Sequence, residues 1–175
     1  MTKGFFIAIR NQLLTNTNLK FVQLFNNQLK DLEGKENNSY SFPLPACFVE
    51  FIAPAQVQQL GAGVQLFEPL IVRLHIVHEF LNNIDDTNGM LEQDLAILDL
   101  KQTVYSTMQI FEPQYAVMFV RVAESINYDH NNVVEFIQDY QTNLIDNSHS
   151  DATLSTPSPA PITLVPTFTK VNSIP

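Results

Sequence analysis

The central part of the chain is predicted to be a β-strand with two unlike faces. Residues 64–80 hold one long strand or two shorter ones, and residues 70–77 are apolar except for Arg73 and His75. Because side chains alternate along a strand, Arg73 and His75 share one face. The other face carries the apolar residues Val72, Leu74 and Ile76.

The last third of the chain predicts a helix followed by a β-hairpin. The helix begins near Met90 or Asp94 and ends near Phe111, where Pro113 stops it. Apolar residues then alternate over 117–122 and again over 133–140, with a second strand that reaches about Ile145. An Asp- and Asn-rich cluster at residues 128–132 separates the two runs, as in the turn of a hairpin.

The first part of the chain adds one helix and two strands. Residues 3–15 carry apolar side chains at helical spacings, and residues 19–25 form a short run of β-formers. Residues 46–52 are predicted to be a strong strand. Polar or glycine- and proline-containing loops are expected at residues 31–41 and 53–63.

These elements predict an α+β domain over residues 1–146. We expect one mixed or antiparallel sheet of four to five strands, with two helices packed on one face. Residues 147–175 are rich in Pro, Ser and Thr but carry spaced apolar residues. Such an arm cannot offset the entropy of ordering by itself, so we expect it to dock on a partner's groove or sheet edge. Its predicted partner-binding residues are Ile162, Leu164, Val165, Phe168 and Val171.

The charge of the chain is unevenly distributed. The net charge is −9, and residues 81–175 hold three basic and twelve acidic side chains, which accounts for all of it. An acidic surface repels phosphate, so direct nucleic-acid binding is not expected, although a duct through which nucleic acid slides remains possible. Charged residues make up only 15% of the chain. This fits either a protein with several interfaces or a compositional habit of its host.

The cysteine count and hydropathy favour a chain made in a reducing cytoplasm. Cys47 is the only cysteine, which excludes an intrachain disulfide, and its apolar surroundings predict a buried thiol. The N-terminus lacks the features of a secretory signal, and no apolar run approaches the length of a membrane span.

Candidate catalytic and metal-binding patterns are weak. His75 and His78 point to opposite faces of a strand, so they do not form a metal site. The adjacent residues 149–151 contain His, Ser and Asp but cannot provide the geometry of a catalytic triad. The glycines at 61–63 lack a phosphate-binding motif, and the Asp- and Asn-rich run at 85–89 lacks the closing Glu of a calcium loop. No catalytic residue, cofactor or metal is predicted.

The chain carries several features in a characteristic order, which are a leading helix, Phe25-Asn26-Asn27-Gln28, the run from Phe42 to Phe51, Leu74-His75-Ile76-Val77, a second helix, Arg121-Val122-Ala123-Glu124 and Val134-Glu135-Phe136. In these features it resembles, over about residues 3–146, the tail terminator or tail completion proteins of long-tailed bacteriophages. The resemblance implies a compact α/β domain that closes into a hexameric ring. The ring caps the tail tube and joins it to the neck, so the expected partners are further copies of the chain, the tail tube protein and a neck or head-completion protein.

We therefore expect a non-enzymatic virion protein at the head–tail junction, assembled in the cytoplasm of the bacterial host. DNA would pass through the ring without specific binding, and no membrane partner is expected. Two alternatives remain open. One is another neck or head-completion protein with a twelve-fold ring. The other is a small cytosolic enzyme that uses Glu124, Asp129 and His130, although these residues with Glu135 are more typical of a solvated hairpin.

Overall fold

A computed structural model describes residues 3–29, 42–54, 56–61, 63–79, 91–114, 116–129 and 133–147. The described residues form two helices and six strands. In chain order these are α1 (Lys3–Asn16), β1 (Phe21–Leu24), β2 (Ala46–Ile52), β3 (Gln58–Gly61), β4 (Val64–Glu79), α2 (Leu91–Gln109), β5 (Val120–Asn127) and β6 (Val133–Asp146).

All described strands belong to one mixed sheet with the order β1-β2-β4-β6-β5, and β3 pairs with the first residues of β4. β1 and β2 run parallel, whereas every other pair is antiparallel. β4 is the longest strand and pairs with β2, β3 and β6. The sheet therefore has β4 at its centre, with β1 and β5 at its two ends.

The alternation of β4 separates the sheet into two different faces. We call the face covered by the helices the inner face and the opposite one the outer face. Arg73 and His75 lie on the outer face, as their positions in the sequence predicted. On the inner face of β4, four apolar side chains are fully buried in the core, and they are Leu70, Val72, Leu74 and Ile76.

Both helices pack on the inner face with apolar residues at four-residue spacing. Such residues lie above one another on the same side of a helix, so they form a continuous stripe. The stripe of α1 consists of Phe5, Ile9 and Leu13. The corresponding buried residues of α2 are Leu100, Val104 and Met108.

A second, smaller apolar cluster covers one end of the outer face. Phe48 and Val77 lie on neighbouring strands there, and the ring of Phe42 stands edge-on to Phe48 at a centroid distance of 4.9 Å. Leu29 also belongs to this cluster. The chain on both sides of residues 30–41 therefore packs against the outer face, although those residues themselves lie outside the described part.

The predicted α+β class is confirmed, with two helices packed on one face of a mixed sheet. The sheet has six strands rather than four to five, because the predicted loop at residues 53–63 contains the short strand β3. Residues 64–80 contain one strand rather than two. The first strand of the hairpin covers Val120–Asn127, later than the predicted 117–122. The loop at 31–41 and residues 148–175 of the arm lie outside the described residues.

Truncation of Leu74 tests the assignment of the core. Leu74 is fully buried at the centre of β4, so Leu74→Ala should lower the free energy of unfolding by about 2–5 kcal/mol. Leu24 on β1 is 47% exposed, and Leu24→Ala should cost less than about 1 kcal/mol. Urea denaturation of both variants measures the difference, and equal losses would contradict this core.

Candidate interaction surface

Strand β5 exposes apolar side chains at one end of the sheet. It pairs with β6 along one side, and within the described residues no strand pairs with its other side. Tyr128, just beyond the strand, is 66% exposed, and Val122 within it is 51% exposed. We call this surface the β5 apolar edge, and its members are Val117, Met118, Val120, Val122, Ile126 and Tyr128.

The β5 apolar edge has the properties of a protein-binding surface. Single exposed apolar residues are common on proteins, whereas several close together mark interaction sites. Those of β5 follow one edge strand, with Val120 on the outer face and Ile126 on the inner face. An edge strand also offers unpaired backbone donors and acceptors, which proteins commonly protect with Lys, Pro or a bulge. β5 has a bulge between Arg121 and Ala123, but it contains neither Lys nor Pro. The edge is therefore only partly protected against pairing with another strand.

Contacts with α2 engage the two charged side chains of β5. Lys101 Nζ donates to Glu124 Oε1 at 2.6 Å, and Arg121 Nη1 donates to Glu124 Oε2 at 2.7 Å. The guanidinium of Arg121 also lies 4.0 Å from the ring centroid of Tyr105, which is a close cation–π contact. Because these charges are satisfied within the chain, they hold β5 against the helix and leave its apolar side chains as the available surface.

The surroundings of Glu124 keep it ionised. Partial burial alone would raise the pKa of this carboxyl group. The hydrogen bond and positive charge of Lys101, the hydrogen bond from Gln138 and the charge of Arg121 outweigh that effect and lower the pKa below the usual 4.5. A carboxyl group with a lowered pKa is a poor proton donor near neutral pH, so this site is unsuited to general acid catalysis.

The outer face carries a network of charged side chains at its centre. We call it the outer-face ion network, and its members are Glu50, Arg73, His75, Glu135 and Asp139. His75 Nδ1 lies 2.5 Å from Glu135 Oε1, and Nε2 lies 3.3 Å from Glu50 Oε2. The ring of Phe25 stacks on the imidazole of His75 with centroids 4.0 Å apart.

Arg73 extends the network to Asp139 through a bidentate pair. Its Nε and Nη2 donate to the two carboxylate oxygens of Asp139 at 2.8 and 2.9 Å. The Asp139 hydrogen bond raises the pKa of Arg73, with smaller contributions from Glu50 and Glu135 against the opposing effect of burial. Every member of the network contacts an oppositely charged partner or a histidine. The network holds three carboxylates and two basic side chains, and each carboxylate contacts Arg73 or His75.

The structure describes two of the three residues of the enzyme hypothesis. Glu124 is bound by Lys101 and Arg121, Asp129 is exposed beyond the end of β5, and His130 lies outside the described residues. His78 lies on the face opposite His75, and its Nδ1 contacts Glu79 O at 2.9 Å. In the described part of the chain, no three His, Cys, Asp or Glu side chains are grouped so that they could hold a metal ion.

The predicted partner-binding residues Ile162, Leu164, Val165, Phe168 and Val171 lie outside the described residues, as do residues 149–151. Sequence reasoning did not identify the β5 apolar edge, although the apolar alternation at 117–122 was its signal. It also missed the outer-face ion network. Alternation placed Arg73 and His75 on one face, but their partners lie on other strands and depend on register.

Comparison with family models finds no match for the chain, and a search of curated proteins finds no significant match either. Within the described residues, neither helix combines the length and apolar character that crossing a membrane requires.

Removal of the Glu135 side chain tests the outer-face ion network. Glu135 is buried and accepts a hydrogen bond from Asn127 Nδ2 at 2.9 Å as well as contacting His75. Glu135→Ala removes this acceptor and should lower the free energy of unfolding by about 1–3 kcal/mol. Glu79→Ala, at the exposed end of β4, is the matched control and should cost less than about 0.5 kcal/mol. Chemical denaturation checks both values, and a neutral effect of Glu135→Ala would show that the network is not stabilising.

The lowered pKa of Glu124 predicts a pH-dependent contribution to stability. A carboxyl group whose pKa falls on folding stabilises the protein above its unfolded-state pKa, and this is lost as pH falls through the folded-state pKa. Glu124→Gln should therefore lower stability at pH 7 by no more than about 1 kcal/mol, since the pair is partly exposed. The difference from the unmodified chain should shrink as the pH falls below 4.5 through the lowered pKa of Glu124. Thermal unfolding across this pH range measures the difference, with Glu112→Gln at an exposed position as the control. A difference that persists in acid would contradict the prediction.

Proposed function

We propose that this chain is a structural protein of a phage virion that forms a hexameric ring, caps the tail tube and joins it to the neck. The observation that carries the proposal is the β5 apolar edge, one side of which pairs with no other described strand. Its six exposed apolar side chains follow this strand, with Val120 on the outer face and Ile126 on the inner face. Such a surface is suited to binding another protein. The order of elements from residue 3 to residue 146 adds the resemblance to tail terminator and tail completion proteins.

The proposed mechanism is geometric rather than chemical. Two helices packed on one face of the sheet make each subunit a rigid block. In a head-to-tail ring, one surface of a subunit binds a different surface of the next, and the ring closes when the rotation between neighbours divides a full turn. The β5 apolar edge supplies one of these two surfaces. Charged contacts to α2 fix its orientation, so the angle between neighbours is defined.

Charge distribution supports a passage for DNA through the ring. Residues 81–175 account for the whole net charge of −9, and acidic walls repel phosphate. On the outer face Arg73 and His75 are already engaged by carboxylates, so they are not available to bind a nucleic-acid backbone. Residues 31–41 and residues 53–63, which include β3, are the proposed contacts to the tube or neck. In the cell, the chain would assemble in the bacterial cytoplasm and reside at the head–tail junction of the virion.

An enzyme built on Glu124, Asp129 and His130 has less support. The lowered pKa of Glu124 opposes a role as proton donor, and its two oxygens are engaged by Lys101 and Arg121. A neck or head-completion protein is the closer alternative, since the same edge would serve a ring with twelve members.

Native mass measurement combined with electron microscopy tests the ring. The purified chain should form a species of six times the 19.8 kDa chain mass, visible as rings. Val120→Lys with Val122→Lys should convert this species to monomer, because charges at the centre of an apolar interface are costly to desolvate. Ile7→Lys, at an exposed apolar residue of α1, should leave the ring intact.

Other outcomes separate the alternatives. A twelve-membered ring would replace the tail-terminator assignment by the neck or head-completion assignment. A strict monomer at high concentration that also fails to bind tail tubes would reject the proposed function.

A further inference from the structure

We propose that the β5 apolar edge of one copy binds residues 162–171 of a neighbouring copy as an added β-strand. The inference rests on the self-association in the proposed function and deepens it by naming the occupant of the edge. Peptide segments bind exposed sheet edges through backbone hydrogen bonds, while alternate side chains provide specificity.

The sequence of the segment suits a strand at the margin of a sheet. Between residues 162 and 171, one set of alternate positions carries the β-branched residues Thr163, Val165, Thr167, Thr169 and Val171. These residue types favour extended strands. The other set carries Ile162, Leu164, Pro166, Phe168 and Lys170, so that face is apolar except at its last position. When the segment is added beside β5, this face lies on one side of the sheet, next to the exposed apolar side chains that β5 carries on that same side.

The edge and the segment each contain one interruption. The bulge between Arg121 and Ala123 divides the edge into the stretch before it and the regular run Ala123–Asn127. Pro166 divides the segment into runs of four and five residues, 162–165 and 167–171. Proline cannot donate a backbone hydrogen bond and is confined to edge strands or bulges. An outermost strand whose Pro166 lies at the bulge satisfies both constraints.

The point where the chain leaves the fold does not confine the segment to its own edge, and the assignment to a neighbour follows from the proposed self-association. β6 ends at Asp146, close to the start of the edge, because Ala116 is bridged to Leu144 and Val117 N donates to Asn143 O. Reaching its own edge would require the chain to cross only one strand, a distance of about 10 Å. Residues 148–161 include three prolines, and a Pro-rich spacer of this length spans about 43 Å. A spacer with this reach leaves the edge of another copy accessible to the segment as well as its own.

Cross-linking between two single-site variants tests the assignment with the full-length chain. Ser125→Cys places a thiol on the exposed part of β5, and Thr169→Cys places one in the segment; neither change removes an apolar residue. The two chains carry tags of different size and are mixed with a short bis-maleimide, which tolerates different strand registers. Cys47 does not interfere, because complete burial raises the pKa of its thiol and keeps it unreactive.

The mixture should give a cross-linked heterodimer on the order of tenfold more abundant than the control, because docking raises the effective concentration of the two thiols. The matched control replaces Ser125→Cys with Gln23→Cys, an exposed position on β1 at the other end of the sheet. In addition, Leu164→Asp with Phe168→Asp in the Thr169→Cys chain should reduce the heterodimer to the level of the control.

Two results would overturn the inference. One is a heterodimer yield no greater than that of the Gln23→Cys control. The other is efficient cross-linking only within a single chain that carries both Ser125→Cys and Thr169→Cys, which would assign the segment to its own edge. Electron microscopy of the same samples keeps the two proposals distinguishable. Rings without the expected cross-link would reject strand addition and retain the ring, whereas the absence of rings would reject the proposed function.

Discussion

The pairing of β4 with three other strands is the constraint on which the rest of the fold depends. A strand in the middle of a sheet presents alternate residues to two surroundings, so its sequence must satisfy both. In β4 the inward-facing residues Leu70, Val72, Leu74 and Ile76 are apolar, and they belong to the core formed with the two helices. The other set includes Arg73 and His75, which are retained on the outer face because Glu50, Glu135 and Asp139 come from the strands on either side. The helices and the charged network are therefore two consequences of one alternation.

The outer-face ion network also restricts how β6 aligns with β4. Arg73 stands directly opposite both Glu50 and Asp139, and Val77 stands opposite Glu135. A shift of one residue would move Asp139 and Glu135 to the inner face and break both contacts at once, because side chains alternate with a period of two. A buried or half-buried ion pair contributes little net stability compared with an apolar pair, but separating its members is costly. The network is better understood as fixing register than as adding stability.

Local sequence patterns predicted much of the fold. They did not predict the β5 apolar edge, because that surface depends on the order of the strands in the sheet. Residues 46–52 match β2 in full, and the predicted helix at 3–15 differs from α1 by one residue, because their apolar spacing is regular. β3 was missed because Gln58–Gly61 is short and fully exposed, so it carries no apolar alternation. The first strand of the hairpin was placed too early because the bulge after Arg121 resets the alternation. No local pattern indicates that β5 lies at the edge of the sheet.

The position of β5 connects the charged network with the proposed assembly. β5 is joined to the sheet through β6 alone among the described strands, and β6 is held to β4 by the register that Arg73 and His75 enforce. Lys101 of α2 then holds the inner face of β5 through Glu124. A strand held by β6 and by α2 is ordered before a partner arrives, which reduces the entropy lost on binding. In the proposed ring, which closes only if the angle between neighbours is reproducible, these charged contacts would help to define that angle. Keeping charges on a half-buried sheet face costs stability. That cost is compatible with a role that depends on the shape of the protein, because fixing the strand register explains the charges without a chemical reaction.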